Sequence, residues 1–365
     1  MKANVKVSTK TKWIAVLAAA SLMAAAAIGL SGCGSNSSSS SSDVPEEYKN
    51  LDSVTLVLAD NTSKGAAGNL WSQAVADKAK EITGGKLNVD YHGTGELGGD
   101  ADCMRQVQSG DIAMFVGQPA PMVSFVSADA AFDLPMAFAT YDADTIDKVL
   151  NGDNEFTQQL QTAYESAGLH SLGWLQNGTY RLTTSNKALN TLADFKGLQI
   201  RTMQNSNHMA CWTAIGAEPT PLAWSETYFA LQNGTVMAQE NAADTCVGAS
   251  LQEVQKYLCK TNHILYANNI MINKSTWDSL DPAYQKALQQ AITEATNTVR
   301  PQMAELESNN IKTMEDAGVQ VISYDESFFN EVQNLDAVKK VYSDIDSQTN
   351  GLATTLVNTL KANKS

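Results

Sequence analysis

Only four arginines occur in this chain of 365 residues, so each one is a candidate for a specific role. The other 21 of the 25 basic residues are lysines. A guanidinium can hold a carboxylate through two parallel hydrogen bonds, which a lysine ammonium cannot do. Such a group suits the binding of an anionic solute, although an arginine more often belongs to a structural ion pair. The four are Arg105, Arg181, Arg201 and Arg300.

Arg201 lies in a stretch, residues 191–241, whose pattern predicts alternating short strands and helices. Residues 198–200 alternate apolar and polar side chains, which indicates a strand, and a helix is expected from about Ser206. Ser225 is the expected N-cap of the following helix, after which a further strand is predicted. Arg201 therefore stands at the carboxyl end of a strand, which is where α/β sheets bind their ligands.

Three motifs follow one another in this stretch: DFKGLQIR at 194–201, GAEPTP with ETYFALQNG at 216–234, and VMAQEN at 236–241. In this order they resemble the solute receptors of tripartite ATP-independent periplasmic (TRAP) transporters, the DctP-like family. Met237 and Ala238 replace the Asp-Gly of that family's pattern. With further similarity at Leu134-Pro135 and in the segment TNH at 261–263, the resemblance covers roughly residues 53 to 345.

The resemblance implies an α/β fold of the periplasmic-binding-protein (Venus flytrap) type, with two lobes and a long helix spanning both. Lobe 1 would comprise residues 51–178 and about 267–306. Lobe 2 would comprise residues 179–266 and about 307–365. The spanning helix is expected to begin at Asp281-Pro282 and to continue to about Met314.

The resemblance also implies a function: binding a small organic acid in the interlobe cleft and delivering it to TRAP membrane subunits. By the same resemblance, Arg201 holds the ligand carboxylate, Arg181 and Asn241 assist, and Trp224 packs a ring on the ligand. Core packing is an equal alternative for Trp224. We expect a monomeric receptor, not an enzyme, without cofactor or metal. The sequence does not rank sialic acids, dicarboxylates, keto acids and aromatic acids as ligands.

Residues 1–32 have the pattern of an exported lipoprotein signal, with four lysines ahead of an apolar run. Leu30-Ser31-Gly32-Cys33 matches a lipobox, which predicts cleavage before Cys33 and its lipidation. Residues 33–50 then form a serine-rich, flexible tether. We therefore expect a protein anchored by lipid to the extracytoplasmic side of the cell membrane.

The net charge excludes some partners. It is −14 for the whole chain, and loss of a signal that carries four lysines and no acid would leave −18. This charge disfavours nucleic acids and anionic lipid surfaces as partners. Four cysteines beyond Cys33 lack CxxC spacing, so they are either paired in disulfides or buried as free thiols. They are Cys103, Cys211, Cys246 and Cys259.

Other chemistries find little support in the sequence. Residues 93–98, GTGELG, formally match the dinucleotide fingerprint GxGxxG, but no acidic residue ends the next strand, so a glycine-rich turn is favoured. The four histidines have no metal-site spacing, and His263 is expected to be structural. Two alternatives stay open: a ligand-sensing lipoprotein with the same kind of site and, less favoured, an extracellular hydrolase.

Overall fold

Two β-sheets organise the chain in the computed structural model, which describes residues 44–364. Eleven strands are present in the described part. In chain order they are β1 (Val54–Asp60), β2 (Leu87–His92), β3 (Met114–Gly117), β4 (Leu169–Leu175), β5 (Tyr180–Ser185), β6 (Gln199–Thr202), β7 (Glu218–Pro221), β8 (Ala238–Asn241), β9 (Tyr257–Leu265), β10 (Asn268–Asn273) and β11 (Gln320–Ile322).

Helices pack on both sheets and form the C-terminal part of the chain. They are α1 (Ala67–Ile82), α2 (Asp100–Ser109), α3 (Pro119–Met122), α4 (Ala143–Asn151), α5 (Glu155–Ser166), α6 (Ser206–Ala214), α7 (Trp224–Gln232), α8 (Ala243–Gly248), α9 (Lys274–Ser279), α10 (Pro282–Val299), α11 (Gln302–Asp316), α12 (Glu326–Asn334), α13 (Asp336–Gln348) and α14 (Leu352–Asn363). Among them, no helix combines the length and the hydropathy needed to cross a membrane.

Each sheet mixes parallel and antiparallel pairs. The first has the order β2-β1-β3-β10-β4, in which β1 runs parallel to β2 and β3 while β10 is antiparallel to its neighbours. The second has the order β11-β9-β5-β8-β6-β7, in which β6 runs parallel to β7 and β8. The expected α/β class is therefore present. Parallel neighbours place several strand ends, and the loops that follow them, at one edge of each sheet.

The chain passes between the two sheets at residues 176–179 and at residues 266–267. A third connection joins α10, which packs on α1 and β4, to α11, which packs on α8 beside the second sheet. A bending motion of one sheet relative to the other would have to be absorbed at these connections.

The predicted long helix is two consecutive helices. α10 ends at Val299 and α11 begins at Gln302, with Arg300-Pro301 between them. Pro301 has no backbone N–H for the helical ladder, and its ring clashes with the carbonyl four residues earlier. The two helices together link both sheets, but a continuous helix to Met314 was the wrong expectation.

The start of α7 also differs from its prediction. Ala223 is the N-cap, and its N–H donates to the Glu226 carboxylate at 3.1 Å. Ser225 thus lies inside the first turn and does not cap the helix. The expected neighbours are present: β6 covers Gln199–Thr202, and α6 begins at Ser206. Met237 and Ala238, which replace the Asp-Gly of the family's pattern, do not prevent formation of β8, which begins at Ala238.

The C-terminal helices bury their apolar faces on earlier elements. α13 packs against α6, whereas α14 packs against α4 and α5. Leu356 and Leu360 of α14 belong to the buried cluster around Phe132 and Trp174. The lobe boundaries given above stay a prediction.

The structure shows the state of the four cysteines and the conformation of the glycine motif, which the sequence left open. The four cysteines in the described part are buried and free, so no disulfide joins them. The glycine motif at 93–98 is a turn between β2 and α2, and Gly95 and Gly98 adopt positive φ values of 80° and 116°. Glycine is favoured there because it has no Cβ to clash in this conformation. Signal, lipobox and serine-rich segment lie outside the described residues.

Trp71 provides a test of the packing between α1 and α10. Its side chain is 0% exposed, and its indole N–H donates to Thr296 Oγ1 at 3.0 Å, which ties α1 to α10. We expect Trp71→Ala to lower the free energy of unfolding by about 3–5 kcal/mol, since it removes a large buried ring. Urea unfolding of residues 43–365 measures this.

The matched control is Phe229→Ala, because Phe229 is an aromatic residue that is 66% exposed. Its expected change is within about 0.5 kcal/mol. Equal losses in the two variants would show that the α1–α10 contact does not carry the stability assigned to it.

Candidate ligand-binding site

The four arginines differ in their partners. Arg105 pairs with Asp102 at 2.5 Å, and Arg300 pairs with Asp144 at 2.6 Å, both with an exposed acid. Arg181 is buried and pairs with Glu240 at 2.5 Å. Arg201 is buried too, but no ion pair among residues 44–364 includes it. The structural explanation that the sequence favoured for any single arginine therefore applies to three of them.

Arg201 projects from β6 with part of its guanidinium unsatisfied. The side chain is 2% exposed, and Nε and Nη2 both donate to the Leu222 carbonyl, at 3.0 and 2.7 Å. Nη1 is buried and has no hydrogen-bond partner in the described part of the chain. Burial lowers the pKa of Arg201 to about 10, a shift that the Glu240 carboxylate partly opposes. A buried cationic donor without a partner is costly, and an anion would satisfy it.

The half-buried ring of Trp224 lies beside this guanidinium. The Arg201 Cζ atom is 5.5 Å from the ring centroid, within the range of a cation–π contact. Trp224 is the first residue of α7, directly after the loop whose Leu222 carbonyl holds Arg201. The guanidinium is thus contacted by a backbone carbonyl along one edge and by the aromatic ring of Trp224.

Arg181 has a different environment. Its Nε and Nη2 grip the Glu240 carboxylate at 2.5 and 3.0 Å, and Nη2 also donates to the Glu240 carbonyl at 2.8 Å. Nη1 donates to Gln118 Oε1, which follows β3 of the first sheet. These contacts use four of the five N–H donors of the guanidinium. Arg181 is therefore fixed mainly by a buried carboxylate and touches both sheets.

Glu240 is the centre of a buried charge cluster. Besides Arg181, it accepts a hydrogen bond from His263 Nε2 at 2.9 Å, and His208 Nδ1 lies 3.8 Å away. Burial raises the pKa of the Glu240 carboxyl, but Arg181 and the two histidines hold it well below its usual value. Glu240 is therefore ionised, which balances the charge of Arg181.

His208 joins this cluster to the segment before Leu134. Its Nε2 lies 3.0 Å from Asp133 Oδ1, and Asn205 and Asn207 donate to the other oxygen of that carboxylate at 2.8 and 3.0 Å. Burial alone would lower the pKa of His208, but Asp133 and Glu240 raise it to about 9. His208 is therefore a cation between two carboxylates near neutral pH.

Asn241 ends β8, next to Glu240. It is 3% exposed, and its Oδ1 accepts the N–H of Ala242 at 3.0 Å. This hydrogen bond fixes the orientation of the amide and leaves its NH2 group as a possible donor to a ligand. In the register of the second sheet Asn241 lies opposite Leu182, one residue from Arg181. β8 also pairs with β6, where Gln239 lies opposite Arg201.

The chain matches known proteins over most of its length. Residues 55–349 match the DctP family, described as "Bacterial extracellular solute-binding protein, family 7". The chain belongs to this family. It is 30% identical to the sialic acid-binding periplasmic protein SiaP of Vibrio cholerae over 81% of this chain and 89% of that protein. It is also 30% identical to the 2,3-diketo-L-gulonate-binding periplasmic protein YiaO of Escherichia coli, over 75% of this chain and 82% of YiaO.

Solved structures of DctP-family receptors have the same fold. A TRAP periplasmic solute-binding protein of a Bradyrhizobium species, in complex with galacturonate, superimposes with a TM-score of 0.75. It is 28% identical and covers 84% of this chain and 100% of its own. The two-lobed fold implied by the resemblance is thereby confirmed, as is the assignment to the TRAP receptors.

Sequence reasoning named four site residues, and the structure places them on the second sheet or beside it. Arg181, Arg201 and Asn241 lie on three strands that are neighbours, β5, β6 and β8, while Trp224 covers Arg201. Their contact with a ligand stays a prediction. What sequence reasoning missed is the partner of Arg181. Glu240 is part of the DctP motif QEN, so the motif itself contained the signal.

His208 and Asp133 carry no such signal, because 75 residues separate them in the chain. His263, which was expected to be structural, donates a hydrogen bond to Glu240 and so belongs to the buried charge cluster. A cavity of about 580 Å³ lies elsewhere, between α4, α5, β4 and α10. None of the four site residues lines it, and its charged rim, Asp147 and Arg300, is an ion pair.

The protonation of His208 predicts how stability changes with pH. Its folded-state pKa of about 9 exceeds the ordinary value of 6.5, so its contribution is complete below pH 6.5 and is lost as the pH rises through 9. The loss is on the order of 3 kcal/mol. We expect His208→Gln to remove this part of the pH dependence, measured by urea unfolding from pH 6 to 9.5.

His92→Gln is the control, because His92 is a partly exposed histidine at the end of β2. It should keep the wild-type decline between pH 6.5 and 9. A decline of unchanged size in His208→Gln would contradict the charged state assigned to His208.

Proposed function

We propose that this DctP-family receptor binds a small organic acid through the ligand's carboxylate, held at Arg201, in the cleft between the two lobes. The observation that carries the proposal is the buried Nη1 of Arg201, which has no partner among residues 44–364. A carboxylate there would neutralise the guanidinium and accept its remaining N–H groups. The named ligands of SiaP, YiaO and the Bradyrhizobium receptor are all acids.

Asn241 and Arg181 assist in different ways. Asn241 presents its amide nitrogen, since its oxygen accepts a backbone N–H. Arg181 keeps one N–H of Nη1 beyond its contacts with Glu240 and Gln118. Trp224 offers the exposed part of its ring as an apolar surface for the body of the ligand. N–H donors of Asn241 and Arg181 and the charged guanidinium of Arg201 then bind a single carboxylate.

Closure of the two lobes strengthens this recognition. Because Gln118 after β3 already touches Arg181, entry of the ligand needs an opening motion at the connections between the sheets, and the return to this arrangement excludes water. The ion pair gains strength because the effective dielectric constant falls. The closed receptor then delivers the acid to the TRAP membrane subunits. The protein acts as a monomer, held on the extracytoplasmic side of the membrane by the lipidated Cys33 and the serine-rich tether.

Replacement of Arg201 tests the carboxylate site. In a thermal-shift screen of residues 43–365 against organic acids and their neutral amides, binding of an acid raises the melting temperature. We expect Arg201→Ala to weaken binding of that acid by about a hundredfold to several thousandfold, the cost of leaving a buried charge without its partner. Calorimetric titration gives the affinity.

Arg105→Ala is the matched control, since Arg105 is an exposed arginine on α2 paired only with Asp102. It should bind as the wild type does. An acid that binds Arg201→Ala with undiminished affinity, or whose amide binds equally well, would refute the carboxylate clamp.

The lipid anchor has its own test. We expect the full-length chain, expressed in a bacterium that is fed a labelled fatty acid, to incorporate the label and Cys33→Ser to lose it, because the lipobox predicts acylation of that cysteine. Cys103→Ser, at a buried thiol, is the control that should keep the label. Label retained in Cys33→Ser would refute acylation at Cys33.

A further inference from the structure

The N-terminus of α1 lacks a capping side chain in its own segment. Ala66 is the N-cap, and it has no polar side chain that could accept from the first turn. The first N–H groups of a helix have no partner within that helix, and burying them without one is unfavourable. Ala67, the first residue of α1, is only 1% exposed. Its N–H group therefore needs an acceptor from elsewhere in the fold.

That acceptor is a carboxylate beside the other sheet. Asp244 Oδ2 accepts the N–H of Ala67 at 3.0 Å, although 177 residues separate the two. Asp244 is a buried residue of α8, whose neighbours Ala243 and Cys246 pack in the core of the second sheet, whereas α1 packs on the first. The N-terminus of the 16-residue α1 carries partial positive charge, which suits a carboxylate.

Both oxygens of Asp244 are in use. Oδ1 accepts from the backbone N–H of Thr245 at 2.5 Å and from its Oγ1 at 3.1 Å. One oxygen is thus held by the first turn of α8 and the other holds the first turn of α1. A carboxylate can serve both sides because each of its oxygens is an acceptor.

A second contact between the sheets lies at the other end of α8. Gly248 is the last residue of this helix, and a Cβ atom placed on it would lie 2.6 Å from Ser63 Cβ. Ser63 belongs to the loop between β1 and α1. Its Cβ is attached directly to the main chain, so the loop itself would have to move. The loop can approach α8 this closely because residue 248 has no side chain.

From these two contacts we infer that α8 forms a latch, which holds the two sheets in the arrangement in which Gln118 touches Arg181. The latch consists of Asp244, which caps α1, and Gly248, which admits the loop that contains Ser63. The inference goes beyond the proposed function, because neither contact involves a ligand atom. The latch therefore forms with or without a bound acid.

The latch changes what a ligand has to do. A ligand shifts the equilibrium between an open and a closed arrangement only by its difference in affinity for the two. A contact that already favours the closed arrangement leaves more of the ligand's binding energy for affinity. Opening returns the Ala67 N–H and the Asp244 oxygen to water together, so it loses a hydrogen bond without leaving a buried polar group unpaired.

The amide hydrogen of Ala67 reports on the latch directly, since its acceptor is Asp244. We label the alanines of residues 43–365 isotopically and follow exchange of their amide hydrogens with heavy water by NMR, without ligand. Exchange at Ala67 should be slowed by about tenfold or more relative to an unstructured amide, because it requires separation of the sheets. Ala79, a buried residue later in α1, reports on the stability of the helix itself.

Two variants open the latch in different ways. Asp244→Asn keeps the size of the side chain but has one oxygen, so it cannot accept from both Ala67 and Thr245, and we expect the protection of Ala67 to fall by about tenfold. Gly248→Ala leaves every hydrogen-bonding group in place but obstructs Ser63, and we expect a loss of about tenfold as well. Alanine favours a helix more than glycine does, so a weaker α8 would not explain this loss.

Each variant has a matched control on α2 or beside it. Asp102→Asn replaces an exposed carboxylate that pairs with Arg105, and Gly99→Ala adds a Cβ atom where no other atom lies within 4 Å. Both should keep the wild-type protection of Ala67.

Three results would overturn the latch. One is a wild-type Ala67 amide that exchanges as fast as an unstructured one. Another is unchanged protection of Ala67 in both Asp244→Asn and Gly248→Ala. The third is an equal loss at Ala67 and Ala79, which would place the effect on the stability of α1 as a whole. None of these results bears on the carboxylate site, because the experiment contains no acid ligand.

Discussion

A buried guanidinium requires an anion, and the described part of this fold supplies a carboxylate to only one of its two buried arginines. Arg181 has Glu240. Arg201 has a backbone carbonyl and a tryptophan ring, which satisfy its geometry but not its charge. Removing a cation from water without a counter-ion is unfavourable, and the pKa of Arg201 falls to about 10 in consequence. In the function proposed above, the carboxylate of the ligand offsets this cost.

Arg181, which Glu240 neutralises, belongs to a network of buried charged groups on the second sheet. Glu240 fixes Arg181 with a bidentate contact and is itself held by His263, with His208 between it and Asp133. This chain of alternating charges joins β5, β8, β9 and α6 in one polar unit beside the candidate site. Side chains that are held by several partners need less reorganisation on binding. The same unit reaches the first sheet through Gln118 and the segment that contains Asp133.

In the binding mode proposed above, the ligand lies between the two sheets. Loops after parallel strands of the first sheet carry Asn61, Asp100 and Gln118, while the second sheet carries the arginines and Asn241. The chain connections between the halves are short, and one of them is the proline break between α10 and α11. A ligand that contacts both sides can then bias the closed arrangement by its own binding energy.

The sequence by itself determined the family, the α/β class, the four candidate site residues and the order of the motifs around them. Those features are local: a strand's alternation, a motif's spacing and a proline are read along the chain. The motif also contains Glu240, but the sequence does not show that Glu240 pairs with Arg181. The register between β5 and β8 brings these two residues together. The same holds for His208 with Asp133. Charge balance at buried residues is a property of distances in space, so only the tertiary structure decided which buried arginine is paired with a carboxylate and which one is not.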